Sequence, residues 1–340
     1  MSGLAAGGAR SKRMSTSRLI LVLGDQLSFA NPAIASADPA EDQVLLAEVA
    51  EEAQYVPHNR HKIALIFSAM RHFGNALRER GFQVHYIRFA EGVPSLQAAL
   101  ARVLESHPCT VVRVCEPGEY RLREAMAGWE QALDVSLEML EDTRFLASHQ
   151  TFRDWAAGRK QLRMEYFYRA MRQHYGVLLE PDGQPAGGRW NYDQENRVGW
   201  RGQRDVPPRR ALKQSAVTRE VLAEVAKAFP DNPGDLAQFN YACTAAEARA
   251  EFDWFLEYAL ADFGRYQDGL VEESPWVFHG KISMYLNIGL LEPLELCSDV
   301  EQAWRDERCS LAAAEGFIRQ ILGWREYVSA AAWLPQRASS

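Results

Sequence analysis

The chain of 340 residues has no uninterrupted apolar run near the roughly 18 to 20 residues that span a bilayer. Runs such as Leu19–Leu23 are strand-sized, so no membrane partner is expected. The five cysteines, Cys109, Cys115, Cys243, Cys297 and Cys309, include no CxxC pair. An odd, scattered set excludes a disulfide framework and a zinc ribbon and reads as the reduced thiols of a cytoplasmic protein. Also missing are GxGxxG after the first strand, a Walker A loop, GxSxG and HExxH. Dinucleotide-fingerprint, NTPase, hydrolase and zinc-enzyme readings therefore lack a site. A surplus of positive charge is absent too. The net charge of -7 excludes a uniform basic nucleic-acid coat while leaving room for a local basic patch.

What is present is an ordinary globular composition, 47% hydrophobic and 24% charged, which supports a buried core and about two domains. Aromatic residues reach 11% and crowd after residue 150. Large aromatics in a helical region are first of all core. Residues 1–17 carry Arg10, Lys12 and Arg13 and no acid. They read as a disordered extension, with a transit-like segment as the alternative.

From Arg18 to about residue 145 the pattern alternates. Arg18–Gly24, Val44–Val49, Gln83–Phe89, Thr110–Cys115 and Ser136–Leu140 read as strands. Lys62–Arg80, Leu96–Leu104 and Tyr120–Leu133 read as helices between them. Such alternation predicts a parallel sheet with helices on both faces, a Rossmann-like α/β domain over 18–145. Ligands in these sheets sit at the carboxyl ends of strands, where Asp25, Gln26 and Leu27 follow the first strand. Asp25 and Gln26 suit a polar ring or ribityl chain; Asp25 as a helix N-cap is the plainer alternative.

After residue 145 the strands stop. Residues 146–210 read as a helical and loop interdomain region, and 211–340 as an all-α domain. Glu247–Phe263 places Phe252, Phe255, Leu256, Ala259, Leu260 and Phe263 on one helical face. Ile282–Leu291, Leu294–Arg305 and Leu311–Val328 read as further helices. Between Arg197 and Lys213 lie Arg197, Arg201, Arg204, Arg209, Arg210 and Lys213 against one acid, Asp205, with Trp190, Tyr192 and Trp200 close by. Interleaved arginine and aromatic residues suit phosphates and stacked bases; a solvated linker is the plain alternative. Glu165 and Arg169 form an i,i+4 pair on a helix. His279-Gly280-Lys281-Ile282-Ser283 precedes a helix start and offers backbone N–H groups and a cation to a phosphate; a satisfied core histidine is the alternative. Arg319, Gln320, Trp324, Arg325 and Glu326 put many polar groups on an otherwise apolar helix, which calls for polar partners such as a cofactor.

Seven segments in order resemble the photolyase/cryptochrome superfamily, and most closely its branch of deoxyribodipyrimidine photolyase-related proteins that includes bacterial iron–sulfur (6-4) photolyases. They are Val22–Leu27 (VLGDQL), Phe67–Phe73 (FSAMRHF), Met164–Arg172 (MEYFYRAMR), Gly187–Arg197 (GGRWNYDQENR), Phe263–Asp268 (FGRYQD), Phe278–Leu291 (FHGKISMYLNIGLL) and Glu315–Tyr327. The resemblance implies an α/β antenna domain followed by a helical FAD-binding domain. It implies light-driven repair of a pyrimidine dimer or (6-4) photoproduct by electron transfer from reduced FAD, with damaged DNA as partner and no obligate protein partner. It places a ribityllumazine-type antenna near Asp25, Gln26 and Leu27, with Glu48 and Glu52 as looser candidates. It places the FAD phosphates at Tyr266, His279, Gly280, Lys281, Ile282 and Ser283, where the family commonly has Ser in place of Gly280. Arg319 is a further cofactor contact, and Gln320, Trp324 and Glu326 are the expected catalytic residues beside the lesion. Arg189, Trp190, Arg197, Arg201 and Arg204 then gain a DNA-facing role. Family members continue beyond Val328 with an Arg-Gly pair and a long helical segment, whereas this chain reads Ser329-Ala330-Ala331-Ala332-Trp333. The expectation is a C-terminally truncated member with an incomplete FAD domain and no iron–sulfur cluster or other metal in this chain. A cryptochrome-like blue-light receptor and a remnant without repair activity are the alternatives.

Overall fold

The structure is a computed structural model that describes residues 17–333 except Arg197, Arg201, Gln203, Leu270, Glu273 and Pro275. The expected extension therefore lies, up to residue 16, outside the described residues, as do Arg197 and Arg201.

Five strands form one parallel sheet: β1 Leu19–Leu21, β2 Gln43–Ala47, β3 Gln83–Ile87, β4 Val111–Cys115 and β5 Ser136–Leu140. Their order is β3-β2-β1-β4-β5. Registers such as Ile20 opposite Val44 and Arg113 fix which residues share a face. Alternate side chains of a strand point to opposite faces. Ile20, Val44 and Leu46 therefore join one apolar cluster, while Leu19, Leu21, Leu45, Val112 and Val114 join the other. With both faces covered, the inner strands read as continuous apolar runs, while the edge strands β3 and β5 are partly exposed.

The helices of this region are α1 Pro32–Ala35, α2 Ala50–Gln54, α3 Arg60–Glu79, α4 Leu96–Ser106, α5 Tyr120–Met126 and α6 Trp129–Leu133. Asn59 caps α3 and Ser95 caps α4 through their side-chain oxygens. The expected Tyr120–Leu133 helix is broken at Ala127-Gly128.

The remainder is helical: α7 His149–Ala156, α8 Met164–Tyr175, α9 Ala216–Ala228, α10 Ala245–Tyr258, α11 Leu260–Tyr266, α12 Ser283–Asn287, α13 Pro293–Arg305, α14 Leu311–Ile318 and α15 Glu326–Ala332. Three expected helices differ in detail. The Glu247–Phe263 helix breaks at Ala259, which turns Phe263 edge-on to Phe255. The helix expected to run to Leu291 stops at Asn287: Ile288 gives its carbonyl to the Leu27 N–H, and Gly289 turns the chain at φ +84°. The Leu311–Val328 helix contains a π-helical stretch, Arg319–Arg325, between α14 and α15.

The cluster holding Ile20 continues through Phe167, Phe252 and Phe317 to Ala330, so the sheet and the helical part share one core.

Candidate cofactor and nucleic-acid sites

The strand order reverses around β1, which leaves a crevice at the carboxyl ends of the strands. A cavity of about 240 Å³ opens there, between the turns after β1, β2 and β4 and one face of α3. Ile63, Ile66 and Phe67 form an apolar wall, and Asp25, Glu52 and Glu119 bring carboxylates. The Asp25 side chain is 44% exposed and lies 3.6 Å from Arg144 Nη2. Burial pushes the Asp25 carboxyl above its ordinary range, Arg144 pulls it back, and Asp142 adds to the rise. Burial likewise raises Glu52, against Arg121 Nη2, which donates to it at 2.9 Å. Two carboxyls displaced upward on an apolar wall suit a flat ring carrying N–H or O–H donors.

The other expected residues of this site are used elsewhere. Gln26 is fully buried, and its Nε2 donates to the Cys115 and Glu116 carbonyls at 3.1 Å each. Leu27 is buried and donates its N–H to Ile288. Glu48 contributes to the wall, but its carboxylate accepts from Arg71, Tyr86 and the Phe89 N–H. Tyr55 and Lys62, which line the cavity, carry no motif that sequence reading could have used.

In the helical part, Tyr266 is buried and stacks on Phe278 at 5.4 Å. His279 sets Nδ1 2.8 Å from the Trp276 carbonyl and Nε2 2.9 Å from the Gln267 carbonyl. Gly280 lies against Phe255. Lys281, at φ +53°, donates Nζ to the Asn240 carbonyl at 2.7 Å and lies over Tyr241 at 4.4 Å. Ile282 is buried, and Ser283 opens α12.

Arg209 joins this group. The basic run was read as DNA-facing, yet Arg209 turns inward, donates to the His279 carbonyl and lies over Trp254 at 4.5 Å. Burial lowers the pKa of both Arg209 and Lys281. Arg209 Nε and Nη1 are buried without a hydrogen-bond partner in the protein, as are Trp200 Nε1, Gln267 Oε1 and Glu251 Oε1, the last with Arg210 Nη1 at 3.8 Å. Orphaned buried polar atoms are rare, because each costs about 1–3 kcal/mol.

The GGRWNYDQENR loop is bolted down. The Tyr192 N–H donates to Glu315, Asn196 Nδ2 donates to the Ala312 carbonyl at 2.8 Å, and Arg319 pairs with Asp193 at 2.8 Å. Gly187 adopts φ +64°, and a Cβ there would meet the Tyr192 hydroxyl. Arg189 is exposed, pairs with Glu195 and covers Tyr192. The Trp190 ring lies beneath Arg172 and Arg169. Arg204 reaches Asp262 at 3.1 Å from an exposed position. On the π-helical stretch Gln320 and Trp324 are exposed, whereas Glu326 is buried, accepting from the Ala147 N–H and from Arg325. Glu326 therefore stands apart from Gln320 and Trp324. No helix among the described residues is long and apolar enough to cross a membrane.

A profile of the deoxyribodipyrimidine photo-lyase-related protein family matches residues 20–241. A (6-4) photolyase of Agrobacterium fabrum is 42% identical over 94% of this chain. The chain spans 63% of that relative's length. An uncharacterized protein of Acanthamoeba polyphaga mimivirus is 21% identical over 43% of this chain and 75% of its own length. Among solved structures, a bacterial class III photolyase from Agrobacterium tumefaciens superposes with a TM-score of 0.56 at 12% identity, covering 96% of this chain and 61% of that one. That last likeness concerns the fold.

Proposed function

The chain belongs to the deoxyribodipyrimidine photo-lyase-related protein family, and from that membership we propose that it binds FAD and repairs pyrimidine dimers or (6-4) photoproducts in DNA with light. The observation that carries the reading is Arg209, turned inward onto the His279 carbonyl with Nε and Nη1 buried and lacking a hydrogen-bond partner, beside the half-buried Lys281. Arg209 and Lys281 are the half-buried cations that would hold the phosphates of a flavin nucleotide. Tyr266, His279, Gly280, Lys281, Ile282, Ser283 and Arg319 would hold the nucleotide, with Arg209 added on its geometry. Reduced flavin, when bound, supplies under illumination the electron that splits the lesion.

This chain's own residues orient and exclude water. Gln320 and Trp324 share one exposed face of the π-helical stretch and meet a base flipped out of the duplex. Glu326 is a positioning residue: through Arg325 and the Ala147 N–H it fixes that stretch against the start of α7. Arg189, Trp190 and Arg204 contact the DNA. The cavity beside Asp25 and Glu52 takes a ribityllumazine-type antenna.

The test uses the full chain purified in the dark. Flavin absorption retained through gel filtration, and light-dependent repair of a duplex carrying one defined photolesion, are expected. A colourless protein, or a flavoprotein that leaves both lesion types intact in light, overturns the reading.

A further inference from the structure

The segment that joins α7 to α8 reads Ala157-Gly158-Arg159-Lys160-Gln161-Leu162-Arg163, with three cations and no acid. Its position is fixed, since Tyr327 donates its hydroxyl to the Leu162 carbonyl at 2.8 Å. Arg159 donates Nε to the Trp155 carbonyl at 2.6 Å and lies over the Trp155 ring at 4.9 Å. Arg163 shares Gln161 Oε1 through Nε and Nη2 at 3.1 and 2.9 Å. These bonds hold the guanidinium groups in place without neutralising them. Among the described residues no carboxylate lies within ion-pair distance of Arg159, Lys160 or Arg163. Other exposed arginines are paired, as in Arg88–Glu220, Arg102–Glu91 and Arg305–Glu301, or stand singly, as Arg78 and Arg219 do. In a chain of net charge -7, three uncompensated cations side by side, two of them held in place, are a local field of the opposite sign.

The stripe continues along α8. Tyr166 is 47% exposed, and Arg169 lies over both Tyr166 and Trp190. Asn191 ties the following loop to Glu165 at 3.0 Å. The cationic segment and the Arg189–Trp190 region thus lie along one helix of 12 residues, about 18 Å long at about 1.5 Å per residue.

We infer that Arg159, Lys160 and Arg163, with Tyr166, form a phosphate-contacting surface that extends the DNA footprint from the Arg189–Trp190 region past the N-terminal end of α8. The inference rests on the DNA-repair reading above. A nucleic-acid backbone is favoured over an acidic protein because the patch is charge-rich and has one exposed aromatic residue, whereas a protein interface needs an apolar centre. From Arg163 to Arg169 is about 9 Å at about 1.5 Å per residue, which at roughly 3.4 Å of axis per phosphate on one strand faces about three phosphates.

The test compares the full chain with Arg159→Ala/Lys160→Ala/Arg163→Ala by fluorescence anisotropy. The probes are labelled duplexes with and without one photolesion, at about 50 to 200 mM salt. All three side chains are exposed, and circular dichroism checks the fold of the variant. The expected result is weaker binding to both duplexes, an unchanged preference for the damaged one, and a slope of log K against log salt smaller by about one per cation removed. Arg159→Lys/Arg163→Lys keeps the parent slope. A parent that binds DNA with a slope the triple variant leaves unchanged overturns this surface and spares the reading it rests on. A parent that binds neither duplex overturns both. Binding of a polyglutamate probe in place of either duplex, lost in the triple variant, overturns the assignment to DNA.

Discussion

Glu48 gathers four donors onto one buried carboxylate: Arg71 through Nε and Nη2 at 2.8 and 2.9 Å, the Tyr86 hydroxyl at 2.6 Å and the Phe89 N–H at 2.9 Å. Arg71 in turn reaches Glu224 on α9 at 2.5 Å. Removing one partner of a buried pair strands the other charge, so Arg71→Met is expected to cost about 3 to 5 kcal/mol in urea unfolding. In the sequence Glu48 looked like a chromophore contact, because its donors lie 23 to 41 positions away and leave no local pattern. Glu315 gives the pH prediction. Burial raises its pKa, opposed by Arg319 and the Tyr192 N–H. Its protonated form is favoured in the folded state, so its contribution to stability is full below the ordinary carboxylate range and is lost as pH rises from there through the raised value of the folded state. Unfolding free energies of the parent and Glu315→Gln, measured from about pH 4 to 7, should therefore drift in favour of the variant as pH rises. A pH-independent difference refutes the assignment.

Between elements, α11 approaches α14 closely. A Cβ on Gly264 would sit 2.5 Å from the Ala313 Cα, and one on Gly316 would sit 2.7 Å from Asn196 Nδ2. Gly264→Ala must push the helices apart or expel Asn196, and a loss of about 1 to 3 kcal/mol in chemical denaturation is expected. Both glycines belong to segments that carry the family resemblance, yet the sequence does not say that both close on Asn196. Elements with strong local signals were legible: the sheet strands, α8 and α13 follow their apolar spacing closely. α9 went unread although Ser215 caps it at the Thr218 N–H, a signal the sequence does carry. The π-helical widening at Arg319–Arg325 was not legible, since helix spacing barely distinguishes one wide turn. It matters because such bulges cluster at functional sites.

At the scale of the molecule, one apolar cluster runs from Ile20 in the sheet to Ala330 in α15. The α3–α9 contact, with Arg71 between Glu48 and Glu224, ties the same two regions. The chain is therefore expected to unfold in one cooperative transition, with calorimetric and van't Hoff enthalpies equal. Two resolved transitions would contradict the shared core. The α/β-then-helical order was legible from the change of periodicity near residue 145, and the family from seven ordered segments. The inward turn of Arg209 was not legible, because a charge run looks alike whether it faces solvent or a cofactor. The shared core has a further consequence at the turn after β1. Gln26 is clasped by the end of β4, and Leu27 is hydrogen-bonded to Ile288 of the helical part. A guest in the cavity beside Asp25 leans on a turn that both halves hold. By mass action its free energy of binding is then added to the thermal resistance of all the described chain, the proposed flavin site included. An accessory pigment would thus act as a keystone, and its loss would be felt as heat sensitivity far from where light is gathered.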